Sequence, residues 1–225
     1  MSILFRRCCV MGVRQRKEQE REIRRKDIVD AAERVFFSKG YATATMDEVA
    51  AEAEFSKRTV YVYFASKEQL YFEIMTRGYR LLLGILAEEA KTAEGLDAEE
   101  TLRWLFFAFY RFNTEHYEYF NAIIEYETKD LGEGAGIPAE SRAECYRLGE
   151  QVLEHIKAVL AKGVLEGAFR AGLDAGKATL ALWACTVGVF ATAKRKESYL
   201  MEYHGETPES FISAAFELMA RSLKK

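Results

Sequence analysis

The residues of this 225-residue chain most able to do chemistry lie together in Ser56–Phe64, SKRTVYVYF. Lys57 and Arg58 are adjacent cations, Thr59 brings a hydroxyl, and Tyr61 and Tyr63 bring phenols. Such groups bond phosphate oxygens, and Arg and Thr also reach base edges. The same set would equally suit an ordinary amphipathic helical hairpin with a solvated basic end. Other chemistry is sparse. His116, His155 and His204 stand isolated in sequence, and no nucleophile elbow or acid–base pair is legible. Cys8, Cys9, Cys145 and Cys185 show no C-x-x-C or His–Cys spacing. No catalytic residue, metal site or cofactor is therefore expected.

Two short helices must position the cluster. Thr45 is an N-cap with Glu48 three residues on, the pattern of a capping box, opening a helix over Met46–Ala53. Glu54-Phe55 forms the turn, and Ser56 caps a second helix. On that helix Val60 and Phe64 lie four apart and would lock onto Val49, Ala50 and Ala53, leaving the polar residues outward. Helix, tight turn, helix is the helix-turn-helix plan, whose second helix enters the DNA major groove. A preceding helix over Arg24–Lys39 carries an apolar stripe at Ile28, Ala31, Ala32, Val35 and Phe36, with Gly40 as its C′ residue.

The stretch resembles the DNA-binding domain of the TetR family of bacterial transcriptional regulators. The resemblance rests on Gly40-Tyr41 before Thr43, on Thr45-Met46-Asp47-Glu48-Val49-Ala50, on Ala53, on Ser56 through Phe64, and on Ser66-Lys67-Glu68. Glu54 departs from it, standing where the family usually has glycine. It implies DNA contact by Thr45, Lys57, Arg58, Thr59, Tyr61, Tyr63 and Lys67, the last reaching a phosphate from the start of the following helix. It also implies a body holding a small-molecule cavity, and a four-helix dimer interface built from the last two long helices of each protomer.

The composition fits such a division. The net charge is -3, yet residues 1–67 hold 14 Lys and Arg against 10 Asp and Glu. Of the chain totals of 32 and 35, that leaves 18 against 25 for the rest, a basic head on an acidic body. Hydrophobic residues make up 49% and only two prolines occur, while helical periodicity recurs in most windows. The fold class expected is all-α, an N-terminal three-helix helix-turn-helix head plus a larger C-terminal helical body, about nine helices. Residues 1–22 read as a flexible basic extension, 23–68 as the DNA-binding domain and 69–225 as the ligand-binding and dimerisation domain. Met11 offers an alternative start. With no export signal legible, the chain is expected in the cytoplasm with reduced thiols, Cys185 being buried in an apolar helix.

The body opens with a long helix over Lys67–Ala90, whose buried side is Leu70, Ile74, Met75, Gly78, Leu81, Leu82, Ile85 and Leu86. Two aromatic runs follow, Asp97–Glu115 and Tyr117–Lys129. Helices so apolar are either core or the lining of a cavity. On the cavity reading, Trp104, Phe107, Tyr110, Asn113, His116, Phe120, Glu125 and Trp183 are the ligand-binding candidates, with Asn113, His116 and Glu125 orienting the ligand. Leu131–Ala139, with Gly132, Gly134 and Gly136, is a flexible connection. Ser141–Glu166 forms a helix with Tyr146, Val152, Leu153, Ile156, Val159, Leu160 and Val164 inward. Ala175–Lys196 follows, apolar nearly all round from Ala178 to Ala193, a run short of the ~20 residues that span a bilayer. Ala181, Ala184 and Gly188 on it, with Phe211, Ala215, Phe216 and Met219 on the last helix, Pro208–Leu223, are the dimer candidates.

The expected function is sequence-specific transcriptional regulation, as a repressor released from its operator by a small apolar or aromatic effector. The expected partners are double-stranded operator DNA, that effector and a second copy of the chain, with no membrane. The competing reading is an enzyme or small-molecule-binding protein using the aromatic cavity.

Overall fold

The computed structural model describes residues 12–93, 95–128 and 139–224. Among these there is no strand. The helices are α1 (Val13–Lys39), α2 (Met46–Glu52), α3 (Lys57–Tyr63), α4 (Lys67–Glu89), α5 (Ala98–Glu115), α6 (Tyr117–Thr128), α7 (Ala139–Glu166), α8 (Ala175–Arg195), α9 (Glu197–Tyr199, running into a π turn over Leu200–His204) and α10 (Pro208–Leu223). The contacts divide the chain into two compact units between Glu73 and Ile74, within α4, rather than at residue 68.

In the first unit, α1 starts at Val13, well before the expected Arg24. Residues 13–22 are thus helical rather than a loose arm, although residues 14–24 are exposed. An isolated helix of that length is marginal in water, and continuity with the packed half of α1 supports it. The first ten residues, with Cys8 and Cys9, lie outside the described residues. The packed half buries Ile28, Ala31, Ala32, Val35 and Phe36. Gly40, at φ 79°, ends the helix and donates its N–H to the Phe36 carbonyl at 2.8 Å. Ion pairs Arg34–Glu52 and Lys39–Glu48, both at 2.6 Å, join α1 to α2.

The inter-helix turn has the geometry a glycine would favour, with a glutamate in it. Phe55 N–H reaches the Ala50 carbonyl at 3.0 Å and Glu54 N–H the Ala51 carbonyl at 3.1 Å. These are the two bonds of a Schellman ending, which requires a left-handed residue. Glu54 supplies it at φ 57°, the one non-glycine at positive φ among the described residues. Val60 and Phe64 are completely buried, as their spacing predicts.

The second unit contains α5 to α10 and most of α4. Asp97 caps α5 and Asp174 caps α8 through N–H groups of Glu100 (2.8 Å) and Lys177 (3.1 Å). Inside, Phe106 meets Phe190 and Phe216 at 5.3 and 5.0 Å between ring centroids. Gly163 is a close-approach position, where a Cβ would overlap the Phe169 ring, itself 1% exposed. Of the connection expected over 131–139, residues 131–138 lie outside the described residues, and Ala139 already belongs to α7.

Three burial expectations are corrected. Phe216, assigned to the dimer face, is 2% exposed because it fills the protomer's own core against Phe106. Cys185, expected buried, is exposed, and the buried thiol is Cys145. Tyr146, expected inward, is 56% exposed. In addition α8, at 21 residues and a mean hydropathy of 1.3 in its best window, is long and apolar enough by those measures to cross a membrane, with 22% of that window buried.

Replacing Glu54 with glycine relieves the left-handed strain. The expected gain is about 1 kcal/mol in unfolding free energy, read by chemical denaturation; an unchanged or lower stability means the turn does not hold this conformation.

Candidate nucleic-acid interface and ligand clefts

The helix-turn-helix is built by its caps. Thr45 Oγ1 accepts from Glu48 N–H at 3.3 Å, and Glu48 Oε2 accepts from Thr45 N–H at 2.9 Å. The Lys39 ammonium, the Thr45 backbone N–H and the Thr45 hydroxyl together hold the Glu48 carboxyl below the ordinary carboxylate range. Ser56 Oγ accepts from Thr59 N–H at 3.1 Å and shares a 2.8 Å bond with the Thr59 hydroxyl. Thr45 and Thr59, both DNA candidates, thus already use their hydroxyls to start helices.

On the outer face of α3 the candidates separate. Arg58 is exposed and makes no ion pair or hydrogen bond among the described residues. Lys57 is exposed but pairs with Asp47 Oδ1 at 2.7 Å, whose hydrogen bond and charge raise the ammonium pKa. Tyr61 is 44% exposed and Tyr63 half-buried. The sequence reading missed Val62, which is 70% exposed. The signal was present: Val62 lies four residues beyond Arg58, on the same helical face. An exposed valine there offers an apolar contact of the kind that recognises a thymine methyl.

Among the DNA candidates, Lys67 is placed least like a phosphate-binding side chain. Its ammonium turns inward, donating to the carbonyls of Tyr41 (2.7 Å), Ala44 (3.0 Å) and, more distantly, Ala42 (3.5 Å). It also sits 4.4 Å from the centre of the Tyr41 ring. The Tyr41 hydroxyl in turn donates to Glu68 Oε1 at 2.9 Å. Burial, then the bond to Glu68 and its negative charge, drive the Tyr41 pKa well above a free phenol. Burial pushes the Glu68 carboxyl up, but hydrogen bonds from its own backbone, Ser66 and Tyr41 outweigh it and leave the group below its usual range. Lys67 therefore ties α4 to the loop before α2, and all three of its N–H donors are occupied.

The ligand candidates do not form one cavity. Tyr110 and Asn113 share a cleft of about 180 Å³. Trp183 lies in another, of about 260 Å³, beside Tyr79, Cys145, Tyr146, Gly149, Glu150 and Leu180. Phe107 packs in the core against Phe106 and Phe216, and buried Phe120 meets Phe190 at 6.0 Å. His116 packs on Phe112 at 5.6 Å. Trp104 and Glu125 are half-buried and line neither cleft. The residues missed in the larger cleft lie mainly on α4 and α7, where Tyr79 and Tyr146 have ordinary helical spacing and nothing distinguishes them from core or surface.

A capped helix-turn-helix presenting arginine, tyrosine and valine, beside a separate helical unit, defines a DNA-binding transcriptional regulator. Known proteins agree. The sequence description of "Bacterial regulatory proteins, tetR family" matches residues 28–74. Over 150 residues, 65% of this chain and 72% of the relative, the chain is 31% identical to the HTH-type transcriptional regulator YhgD of Bacillus subtilis (strain 168). It is 32% identical over 114 residues, 51% of each chain, to the HTH-type transcriptional activator FasR of Mycolicibacterium smegmatis. The solved structure of the transcriptional regulator FadR from Bacillus subtilis in complex with stearoyl-CoA has the same fold: TM-score 0.62 at 19% identity, over 87% of this chain and 97% of that one. The chain belongs to the TetR family of bacterial regulatory proteins.

Arg58 and Lys67 are expected to behave oppositely. Arg58→Ala weakens binding to a cognate duplex by about 1–3 kcal/mol with head stability unchanged. Lys67→Met lowers head stability and leaves the slope of log affinity against log salt unaltered. Fluorescence anisotropy across a salt series distinguishes them; a slope reduced by about one unit in Lys67→Met would restore its phosphate contact.

Proposed function

We propose that the protein is a homodimeric repressor that leaves its operator when a small apolar or aromatic effector enters the body. The observation that carries this reading is the outward face of α3, where Arg58, Tyr61 and Val62 stand exposed while Val60 and Phe64 are fully buried. The helix is fixed by its inner side and free to read DNA by its outer one. Two such helices in a two-fold dimer would meet successive major grooves about 34 Å apart.

The dimer reading draws on α8 and α10. Ala181, Ala184 and Gly188 are exposed, Phe211, Ala215 and Met219 half-buried, and Leu180 and Leu218 are 60% and 73% exposed. Apart from its chain neighbours and the adjacent backbone of α8, no heavy atom lies within 4 Å of where a Cβ on Gly188 would stand. The apolar outer side of α8 is in this reading covered by a partner's helices rather than by lipid, in keeping with action in the cytoplasm. Phe216 is left out of the face because the protomer already buries it.

The effector reading draws on the 260 Å³ cleft, where Tyr79, Tyr146 and Trp183 offer aromatic surface around Val152, Leu153 and Leu180. The structural relative FadR holds stearoyl-CoA, which is consistent with an apolar effector class. Repression follows the usual habit of the family, while FasR is named an activator, so the sign of regulation needs its own test. An effector acts by binding one state better than the other, typically with ~1–3 kcal/mol of coupling.

Selection of bound duplexes from a random pool at near-physiological salt should return a two-fold symmetric consensus. A promoter reporter carrying that consensus should fall when the protein is expressed. Enrichment of an asymmetric half-site alone contradicts the dimer, and a rise in the reporter contradicts repression. Independently, Gly188→Arg should convert the dimer to a monomer by light scattering with its helical circular dichroism retained; a dimer that survives places the interface elsewhere.

A further inference from the structure

The smaller cleft has a chemistry of its own. Its floor is apolar: Phe190 is 1% exposed, Ile212 1% and Ala193 3%, with Pro208 beside them. Its wall carries Tyr110, whose ring lies 5.5 Å from that of Phe190, and Asn113. Its rim carries Thr114, Lys194, Glu197 and Glu209. At about 180 Å³ it far exceeds the ~10–15 Å³ that admits one water.

Two features there lack partners among the described residues. The Asn113 side chain is only 6% exposed, lines the cleft, and makes no hydrogen bond among the described residues. The Asn113 amide atoms open onto the cleft and are not among the buried polar atoms left without a partner, so they are free to bond a molecule held there. Glu197 and Glu209 make no ion pair among the described residues, whereas the one rim cation, Lys194, is directed at the Tyr117 ring, 5.4 Å from its centre. The Tyr110 pKa is raised, by burial first and then by the charge of Glu209, which places that carboxylate within electrostatic reach of the phenol.

We infer that this cleft is a binding site for a small organic ammonium with an apolar body, an arylalkylamine in size and kind, separate from the effector cleft at Trp183. The apolar body lies on Phe190 and Ile212. The ammonium sits at the rim, donating to the Glu209 and Glu197 carboxylates and to the Asn113 carbonyl oxygen, beside the Tyr110 ring. An anion would face two carboxylates against one lysine. A cluster of waters would satisfy Asn113 but leave the apolar floor uncovered.

Phenethylamine and its neutral analogue 2-phenylethanol test this on the full-length protein, by calorimetric titration and by nitrogen-resolved NMR. The amine should bind at least about tenfold tighter than the alcohol, about 1.4 kcal/mol. Its binding should move the Asn113 carboxamide signals and leave the Trp183 indole N–H in place. Glu209→Gln, an exposed change, should remove most of the preference for the amine, and Lys194→Met should strengthen amine binding. Equal affinity for the two compounds, or a preference that survives Glu209→Gln, overturns the assignment. So does a response at Trp183 without one at Asn113. Absence of amine binding at millimolar concentration also overturns it and leaves the cleft to ordered water. None of these readouts involves DNA, so the proposed repressor function stands or falls separately.

Discussion

The ammonium of Lys67 is the point on which the DNA-binding unit depends. The loop from Gly40 to Thr45 leaves carbonyls at Tyr41, Ala42 and Ala44 facing inward, and one cation from the first residue of α4 answers all three. The Tyr41 ring lies under that cation and its hydroxyl bonds Glu68, so residues 67 and 68 grip the loop together. The loop ends at Thr45, the cap of α2, and α2 carries the turn that aims α3. The placement of the reading helix is thus tied to the start of α4 through polar contacts as well as through buried Phe64 and Leu70. Arg25 adds a further tie, lying 5.0 Å from the Phe64 ring centre and 2.5 Å from Glu73.

This arrangement separates two tasks that a positively charged sequence leaves merged. Lysines and arginines in a DNA-binding unit are readily assigned to phosphate as a group. Here Lys39 joins α1 to α2, Lys57 is paired with Asp47, and Lys67 holds the loop, while Arg58 remains exposed for a ligand. A cation already paired must exchange that partner for a phosphate, so it contributes less than a free one to affinity. The exposed, unpaired side of α3 accordingly consists of Arg58, Tyr61 and Val62, and the proposed DNA contact rests on these more than on total charge.

Helices were largely legible where they carry their own start signal. Thr45, Ser56, Asp97, Asp174 and Pro208 announce their helices locally, and the ends fall within a few residues of expectation. The early start of α1 was not legible, since its first turns carry mixed charge and no apolar stripe. Side-chain commitments were harder still. Whether Lys67 points to solvent or to three carbonyls depends on a loop more than twenty residues earlier. Whether Phe216 lies on the outer face or in the core depends on Phe106, far away in sequence. The aromatic run of α5 shows the same limit: its period identifies a helix, yet Phe106, Tyr110 and Trp104 reach a packed core, a cleft wall and a half-exposed surface from one continuous stretch.

Gly163 and Phe169 carry a consequence for the history of the chain. The ring occupies the space where any other residue's Cβ would stand, and Phe169 N–H bonds the Gly163 carbonyl at 3.0 Å. The constraint is asymmetric in origin but shared in effect: a side chain at 163 becomes tolerable only after the residue at 169 has shrunk, and a smaller residue at 169 leaves a void beside 163 that a side chain there could fill. The two codons form an epistatic pair, and related sequences should change them together or not at all.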